Sequence, residues 1–278
     1  MEVLVFSLLG GVVSLLAALI LINNRKTADG LAKYATPFAA GVLLAAAFTD
    51  LLPEALHESA DEPRAVLIWA LVGMLVFFML ERFLRFFHHH HEHGKEKANN
   101  SLVIIGDTLH NALDGIAIGA AFLIDTPTGI IATMAVAAHE IPQEIGDFGL
   151  LLKNGMEKSK VILYNILSAL ATTATALITF NLGGSDSFPI PALLAITAGF
   201  FIYIASSDII PGIHETMEKG KRDARPWLLL LGSAFILLVS PIAHDYIETG
   251  HEEEETSTHS DESEKVDNHF EDEHTHSE

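Results

Sequence analysis

The feature that most constrains this chain is the grouping of its apolar residues into blocks of about twenty. Half of the 278 residues are hydrophobic, and short polar stretches separate the blocks. A helix of about 20 apolar residues can cross the roughly 30 Å hydrocarbon core of a bilayer. The sequence therefore predicts an all-α integral membrane protein with eight transmembrane helices, at residues 3–22, 35–56, 65–87, 101–124, 128–152, 160–180, 189–213 and 226–246.

The positions of lysine and arginine predict how these helices are oriented. With the N-terminus outside, 14 of the 16 Lys and Arg residues fall in or beside cytoplasmic loops, and only Arg64 and Lys265 do not. Cytoplasmic loops of membrane proteins carry such an excess. We therefore expect both ends of the chain to be extracytoplasmic, which agrees with an even number of spans.

The net charge of −20 is unevenly placed. Residues 247–278 hold 13 of the 36 acidic residues and a single Lys. The sequence predicts a membrane domain over residues 1–246 and a disordered, acidic, His-containing extracytoplasmic tail over 247–278. Within the domain, a cytoplasmic loop at 88–97 begins His88-His89-His90-His91-Glu92-His93. Such a loop is either a weak metal-receiving station or a functionally neutral solvated segment, and the tail either concentrates cations or only solubilises the protein.

Two short polar motifs interrupt the apolar blocks of spans four and five. On a helix, residues i and i+4 share a face, so His110 aligns with Asp114 and His139 aligns with Gln143. One ionisable group at the centre of a spanning helix costs about 2.5–3.5 kcal/mol on insertion scales. Glu140 and Glu144 would also repel each other unless a cation were present. The candidate metal ligands are His110, Asn111, Asp114, His139, Glu140, Gln143 and Glu144.

The types of these residues narrow the choice of ion. The chain has no cysteine, so the available ligands are imidazole, carboxylate and amide groups, which suit zinc, iron, manganese or nickel better than copper(I). Pro142 is expected to kink span five and to free the backbone carbonyl of Ala138. The alternative is that the motifs only form interhelical hydrogen bonds, which is common for a single polar residue but not for seven at matched depth.

Further polar residues mark a candidate ion pathway. Asp107 and Asp147 lie one turn to the cytoplasmic side of the two motifs, where they form either an inner exit or local hydrogen bonds. Asp50 and Asp208 act either as outer and inner gates or as helix stabilisers beside prolines. Asn165 in span six either completes the site or makes an interhelical hydrogen bond.

A weak internal repeat supports this topology. Asp50-Leu51-Leu52-Pro53 in span two resembles Asp208-Ile209-Ile210-Pro211 in span seven, which runs in the opposite direction. The motifs of spans four and five resemble each other in the same way. Paired elements of opposite topology around a midplane site are typical of secondary transporters.

The motifs HNALDG (span four) and HEIPQEIGDFGLL (span five) resemble those of the ZIP metal-ion transporters, as do LLPEALHE, LYNILSAL and AGFFIYIASSDIIP. The resemblance extends over about residues 1–246. It implies eight helices with inverted three-plus-two-plus-three pseudosymmetry, and a binuclear centre at the membrane midplane. The first metal position would use His110, Asp114, His139 and Gln143. The second would use Asn111, Glu140 and Glu144, with Asp114 bridging.

The resemblance also implies a function. We expect a transporter, not an enzyme, that moves divalent cations into the cytoplasm by alternating access. Zinc is expected first, then iron, manganese or cadmium, with no organic cofactor. The expected partners are the bilayer of a cell membrane, the ions and a second copy in a homodimer, not nucleic acid. Gln143 stands where the most similar subfamily has His, which leaves metal preference open. The alternatives are an intramembrane metal-dependent hydrolase, which would lack a second His at position 143, and a cation exporter or sensor.

Overall fold

The computed structural model describes residues 1–22, 25–89, 96–183, 189–215 and 223–245, and these contain helices and no strand. Two of the helical rods contain a short π-helical segment. The rods are α1 (Glu2–Ile22), α2 (Arg25–Ala46, π segment Ala47–Leu51, then Leu52–Glu58), α3 (Pro63–His89), α4 (Glu96–Phe122), α5 (Thr126–Lys153), α6 (Lys158–Leu182), α7 (Ile190–Tyr203, π segment Ile204–Ile209, then Ile210–Glu215) and α8 (Arg225–Asp245).

Within the described residues, five helical stretches are long and apolar enough to cross a membrane: Lys33–Glu58, Pro63–Phe83, Lys158–Leu182, Ile190–Ser207 and Arg225–Asp245. They confirm an all-helical, multi-pass integral membrane protein. The rods α4 and α5 are not among the five, because the polar motifs lower their mean hydropathy. The count of eight spans and the inverted topology stay predictions.

The outward faces of these rods are apolar. On α8, Trp227 is 72 % exposed and Leu238 is 68 % exposed, and α3 presents Trp69, Met79 and Phe83 to the outside in the same way. Apolar side chains on this scale are unfavourable in water but are what lipid requires. These faces therefore mark the lipid contact surface.

Glycines let two pairs of rods approach closely. A Cβ at Gly41 on α2 would overlap the backbone carbonyl of Leu229 on α8, and Gly232 on α8 faces α2 in the same way. Gly73 on α3 and Gly199 on α7 form the second such pair. In lipid, where the hydrophobic effect does not drive helices together, such close packing contributes much of the association.

The rods α2 and α7 share a further detail. Gly41 and Gly199 each precede an aspartate by nine residues, and both aspartates (Asp50 and Asp208) lie within the π segments. π-helical turns are rare and are frequently found at functional sites. The two rods thus match in close-packed glycine, π segment and acidic residue.

The packing of α4 and α5 places the two polar motifs together. These antiparallel rods are joined by residues 123–125, and α4 also packs along α6, while α1 and α2 pack on α5. Asp125 caps α5, since its Oδ1 accepts a hydrogen bond of 2.6 Å from the backbone N–H of Thr128. Within α5 the helix continues through Pro142 to Lys153.

Candidate metal centre

Four side chains from two rods form a compact group of metal-ligating atoms. His110 and Asp114 come from successive turns of α4, and His139 and Glu140 come from α5. One ligand atom from each lies within 4.8 Å of the others, and Asp114, His139 and Glu140 are buried. We call these four residues the midplane centre, after the position in the membrane that the sequence predicts for them. The structure thus brings together four of the seven ligands predicted from the sequence.

The spacing within the midplane centre suits a small divalent cation. The two Nε2 atoms of His110 and His139 are 3.2 Å apart. Asp114 Oδ2 lies 3.6 Å from the first and 3.4 Å from the second, and Glu140 Oε1 lies 3.7 Å and 3.9 Å from them. Ligand atoms about 2.0–2.2 Å from a tetrahedral zinc ion are about 3.3–3.6 Å apart. A zinc-sized cation therefore fits between these four atoms with small adjustments.

The carboxylates of the midplane centre lack other partners. Asp114 Oδ2 and Glu140 Oε1 are buried and make no hydrogen bond. A buried carboxylate without compensation is unfavourable by several kcal/mol, and two adjacent ones also repel each other. A bound cation would remove both penalties, so the donor set matches the ion that the geometry can hold.

The imidazole of His139 is oriented for metal binding. Its Nδ1 lies 3.0 Å from the backbone oxygen of Ala135 and donates to it, which leaves the Nε2 lone pair facing the other three ligands. The rings of Phe77 and Phe201 meet His110 and His139 edge-on, with centroids 5.5 Å and 6.2 Å away. These aromatic walls hold the imidazoles in an apolar surrounding.

The structure places Asn111 differently from the predicted second metal position. Its Oδ1 accepts a hydrogen bond of 2.7 Å from the Thr172 hydroxyl on α6, and its Nδ2 donates to the backbone and side-chain oxygens of Asp107. Asn111 therefore links α4 to α6. Thr172 was not predicted from the sequence. The one feature of the sequence that could have indicated it is its spacing of seven residues from Asn165, which puts both on the same helix face.

Other predicted ligands lie outside the midplane centre. Glu144 is fully buried and Gln143 is half-buried. Glu140, which was predicted to belong to the second metal position, lies with the ligand atoms of the two histidines. On the predicted cytoplasmic side, Asp107 is buried and Asp147 is half-buried. Asn165 on α6 is buried, and its Oδ1 makes no hydrogen bond.

Toward the C-terminal end of α2, Asp50 lies in a hydrogen-bonded setting. Its Oδ1 accepts from the Ser240 hydroxyl of α8, and the Thr49 hydroxyl lies 2.7 Å from its Oδ2. The side chain of Asp208 lies outside the described part of the structure. The same is true of most of the His-rich loop, 90–95, and of the tail, 247–278.

Two features lie above Asp50 on the predicted outer side. A cavity of about 440 Å³ is lined by apolar residues together with Glu2, Asp125 and His244. At the end of α2, Glu54, His57 and Glu58 form a more exposed group whose ligand atoms lie within 4.8 Å of one another. Both features place cation-attracting side chains at the ends of the rods that are predicted to lie outside.

These observations define a class: a helical membrane protein with a candidate metal centre between two neighbouring helices. The sequence matches the ZIP zinc transporter family model over residues 2–102 and 100–240. The chain therefore belongs to the ZIP zinc transporter family, as the motifs predicted.

Individual relatives agree with this assignment. The chain is 39 % identical over 153 residues to zinc transporter ZIP10 of Danio rerio. The aligned region covers 52 % of this chain and 18 % of the relative. It is also 36 % identical over 153 residues to each of two human relatives, zinc transporter ZIP4 and zinc transporter ZIP6. Each alignment covers 52 % of this chain, and they cover 23 % of ZIP4 and 20 % of ZIP6. The chain thus matches about a fifth of the length of these curated relatives. Their names are those of transporters, not enzymes.

Proposed function

We propose that this protein carries divalent metal cations across its membrane into the cytoplasm, with zinc as the main substrate. The observation that carries the proposal is the midplane centre, whose two imidazoles and two carboxylates face one another inside a membrane protein. The names of the relatives support zinc. The mixed nitrogen and oxygen ligands also suit iron, manganese or cadmium.

Transport would proceed by alternating access across eight spans, with both ends of the chain outside. The matched glycines and π segments of α2 and α7 support the inverted repeat. Ions would collect at the acidic outer cavity and move from there to the midplane centre. They would then leave past Asp107, Asp147 and the His-rich loop, with Asp208 as an inner gate. Movement of the rods around α4 and α5 against the others would expose the centre to each side in turn.

A second metal position beside the midplane centre is part of this proposal. Asn111, after releasing Thr172, would supply an oxygen to it together with Glu140 and Glu144, and Asp114 would bridge the two ions. Gln143, one turn after His139, would complete the first position. An amide oxygen is a harder ligand than imidazole, so Gln143 would shift the preference of that first position toward manganese or iron.

A metal-dependent hydrolase using the same residues has less support. It would need an open metal position and a free general base, for which Glu140 was the candidate. Glu140 Oε1 instead lies with the ligand atoms, 3.7 Å from His110 Nε2. The remaining proposals are a homodimer, residence in a cell membrane and a cation-attracting role for the acidic tail.

Radiozinc uptake into proteoliposomes tests the transport function. The variants Asp114→Ala and His139→Ala should each lower uptake by at least about 30-fold, since a lost charged partner at a buried site costs about 2–5 kcal/mol. Asp61→Ala in the exposed outer loop is the matched control and should transport normally. Unchanged uptake in both site variants, with normal insertion, would refute the proposal.

A further inference from the structure

We propose that Thr172 is a positioning residue that controls when a second metal ion can use the Asn111 side chain. In the structure the Thr172 hydroxyl donates to Asn111 Oδ1 across the contact between α6 and α4, at 2.7 Å. The second ion gains this oxygen only when the hydrogen bond is broken. The inference rests on the second metal position in the proposed function, and it adds the residue that sets how readily that position fills.

The amide group of Asn111 is held at both of its polar atoms. While Oδ1 accepts from Thr172, Nδ2 donates to Asp107 twice, to the side-chain Oδ1 at 3.1 Å and to the backbone oxygen at 3.2 Å. An amide rotated by half a turn would place its oxygen against both of these acceptors, which is unfavourable. The contacts with Asp107 therefore fix the orientation in which Asn111 presents its oxygen to α6.

Helix geometry explains why the hydrogen bond and the second ion compete for Asn111. His110 and Asp114 share the face of α4 that meets the ligands of α5, and Asn111 lies about 100° around the helix from His110. The second ion would also be bound by the glutamates of α5. To reach that ion, the Asn111 oxygen has to turn from α6 toward α5, away from the Thr172 hydroxyl.

The contact between Thr172 and Asn111 is buried and closely packed. Each of the two residues is only 2 % exposed. A Cβ at Gly115, one turn after Asn111 on α4, would overlap the backbone oxygen of Thr172. Because helices that approach this closely exclude bridging water, the partner of Asn111 Oδ1 is either the Thr172 hydroxyl or an ion.

Thr172 has an alternative acceptor, which allows the hydrogen bond to be released. Threonines on helices can donate to the backbone oxygen four residues earlier, as Thr108 does to Ile104 at 2.7 Å. For Thr172 that backbone oxygen belongs to Ser168. When an ion takes the Asn111 oxygen, a rotation about χ1 lets the Thr172 hydroxyl donate to its own helix instead. The hydroxyl therefore keeps a partner in both states.

The hydrogen bond sets the order in which two ions bind. The midplane centre takes an ion without disturbing α6, because its four ligands come from α4 and α5. The second position fills only when the Thr172 hydrogen bond to Asn111 is given up, and that loss weakens binding there. One ion therefore binds at low metal concentration and a second at a higher concentration, which Thr172 determines.

Calorimetric titration of the purified full chain with Zn²⁺ tests this role. Thr172→Val nearly keeps the shape and removes the donor, so the Asn111 oxygen lacks a partner until an ion binds. The second zinc equivalent should then bind at least about 5-fold more tightly, and the first as in the wild type. Thr172→Ser retains the hydroxyl and should give the wild-type value. Thr175→Val is the matched control, because Thr175 also donates from α6 to α4, but to the backbone oxygen of Ala112 at 2.8 Å; its second equivalent should bind no more tightly.

A double-variant cycle separates this role from a general effect on packing. In an Asn111→Leu background the oxygen is absent, so Thr172→Val should not strengthen the second equivalent. Unchanged or weaker binding of the second zinc in Thr172→Val alone, or equal strengthening in both backgrounds, would overturn the proposal. A single zinc equivalent with and without the hydroxyl would overturn it together with the second position. A failure of transport alone would look different, because the unaltered protein would bind zinc in this order and not move it across a vesicle membrane.

Discussion

Two pairs of rods bury an aspartate in the membrane, and they treat it in opposite ways. Between α2 and α8, Asp50 has hydroxyl groups of Ser240 and Thr49 at its two oxygens. Between α4 and α5, Asp114 has an unpartnered Oδ2 that faces two histidines. The carboxylate between α2 and α8 thus has hydrogen-bonding groups at both oxygens, in a close-packed contact. The carboxylate between α4 and α5 has an oxygen without a hydrogen bond.

The difference shows what identifies a ligand site in a membrane helix. Burial of an acidic residue is not sufficient, since Asp50 and Asp114 are 5 % and 4 % exposed. What separates them is whether the fold itself supplies hydrogen-bond donors. A cation site is therefore marked by a buried carboxylate whose oxygens lack hydrogen-bond donors from the protein.

The largest expected effect is on transport. Asp114→Asn removes the charge that faces the two imidazoles, so zinc uptake should fall by at least about 30-fold. Asp50→Asn keeps an oxygen that accepts from Ser240, so uptake should stay within about 3-fold of the wild-type rate. Initial rates of radiozinc uptake at matched protein density measure both. Equal losses in the two variants would show that hydrogen-bond satisfaction does not separate site from scaffold.

A smaller effect is expected on stability, and it concerns the α2–α8 pair. Gly41→Ala would force a Cβ into the Leu229 carbonyl, and such overpacking costs about 1–3 kcal/mol. Gly30→Ala is a matched control on the same rod, where nothing lies within 4 Å. Alanine should be neutral or favourable there, because it is the better helix former by about 1 kcal/mol. Thermal unfolding in detergent compares the two, and equal melting temperatures would contradict the close contact.

Much of the fold follows from apolar block length, but the helix ends do not. The predicted span 35–56 lies within a rod that begins at Arg25, and the predicted span 101–124 lies within one that begins at Glu96. Hydropathy locates the part of a helix that needs lipid. Backbone hydrogen bonding continues beyond it, into polar residues that are good helix formers in water.

The candidate site was predictable as a set of residues but not as an arrangement. Spacing alone aligned Glu140 with Glu144, yet the structure turns Glu140 toward His110 and His139. Thr172 holds the Asn111 oxygen from a third rod, a contact that depends on how α4 packs on α6. Such contacts depend on the direction of each side chain and on how the helices pack together. The spacing of residues along one helix gives information on neither of these.

The most direct test of the account is the zinc coordination shell, measured by X-ray absorption on protein loaded with one equivalent of zinc. The account predicts nitrogen and oxygen ligands at about 2.0–2.2 Å, including two imidazoles. His110→Ala and His139→Ala should each remove one imidazole from that shell. An imidazole count that stays the same in both variants would place the ion elsewhere and contradict the midplane centre.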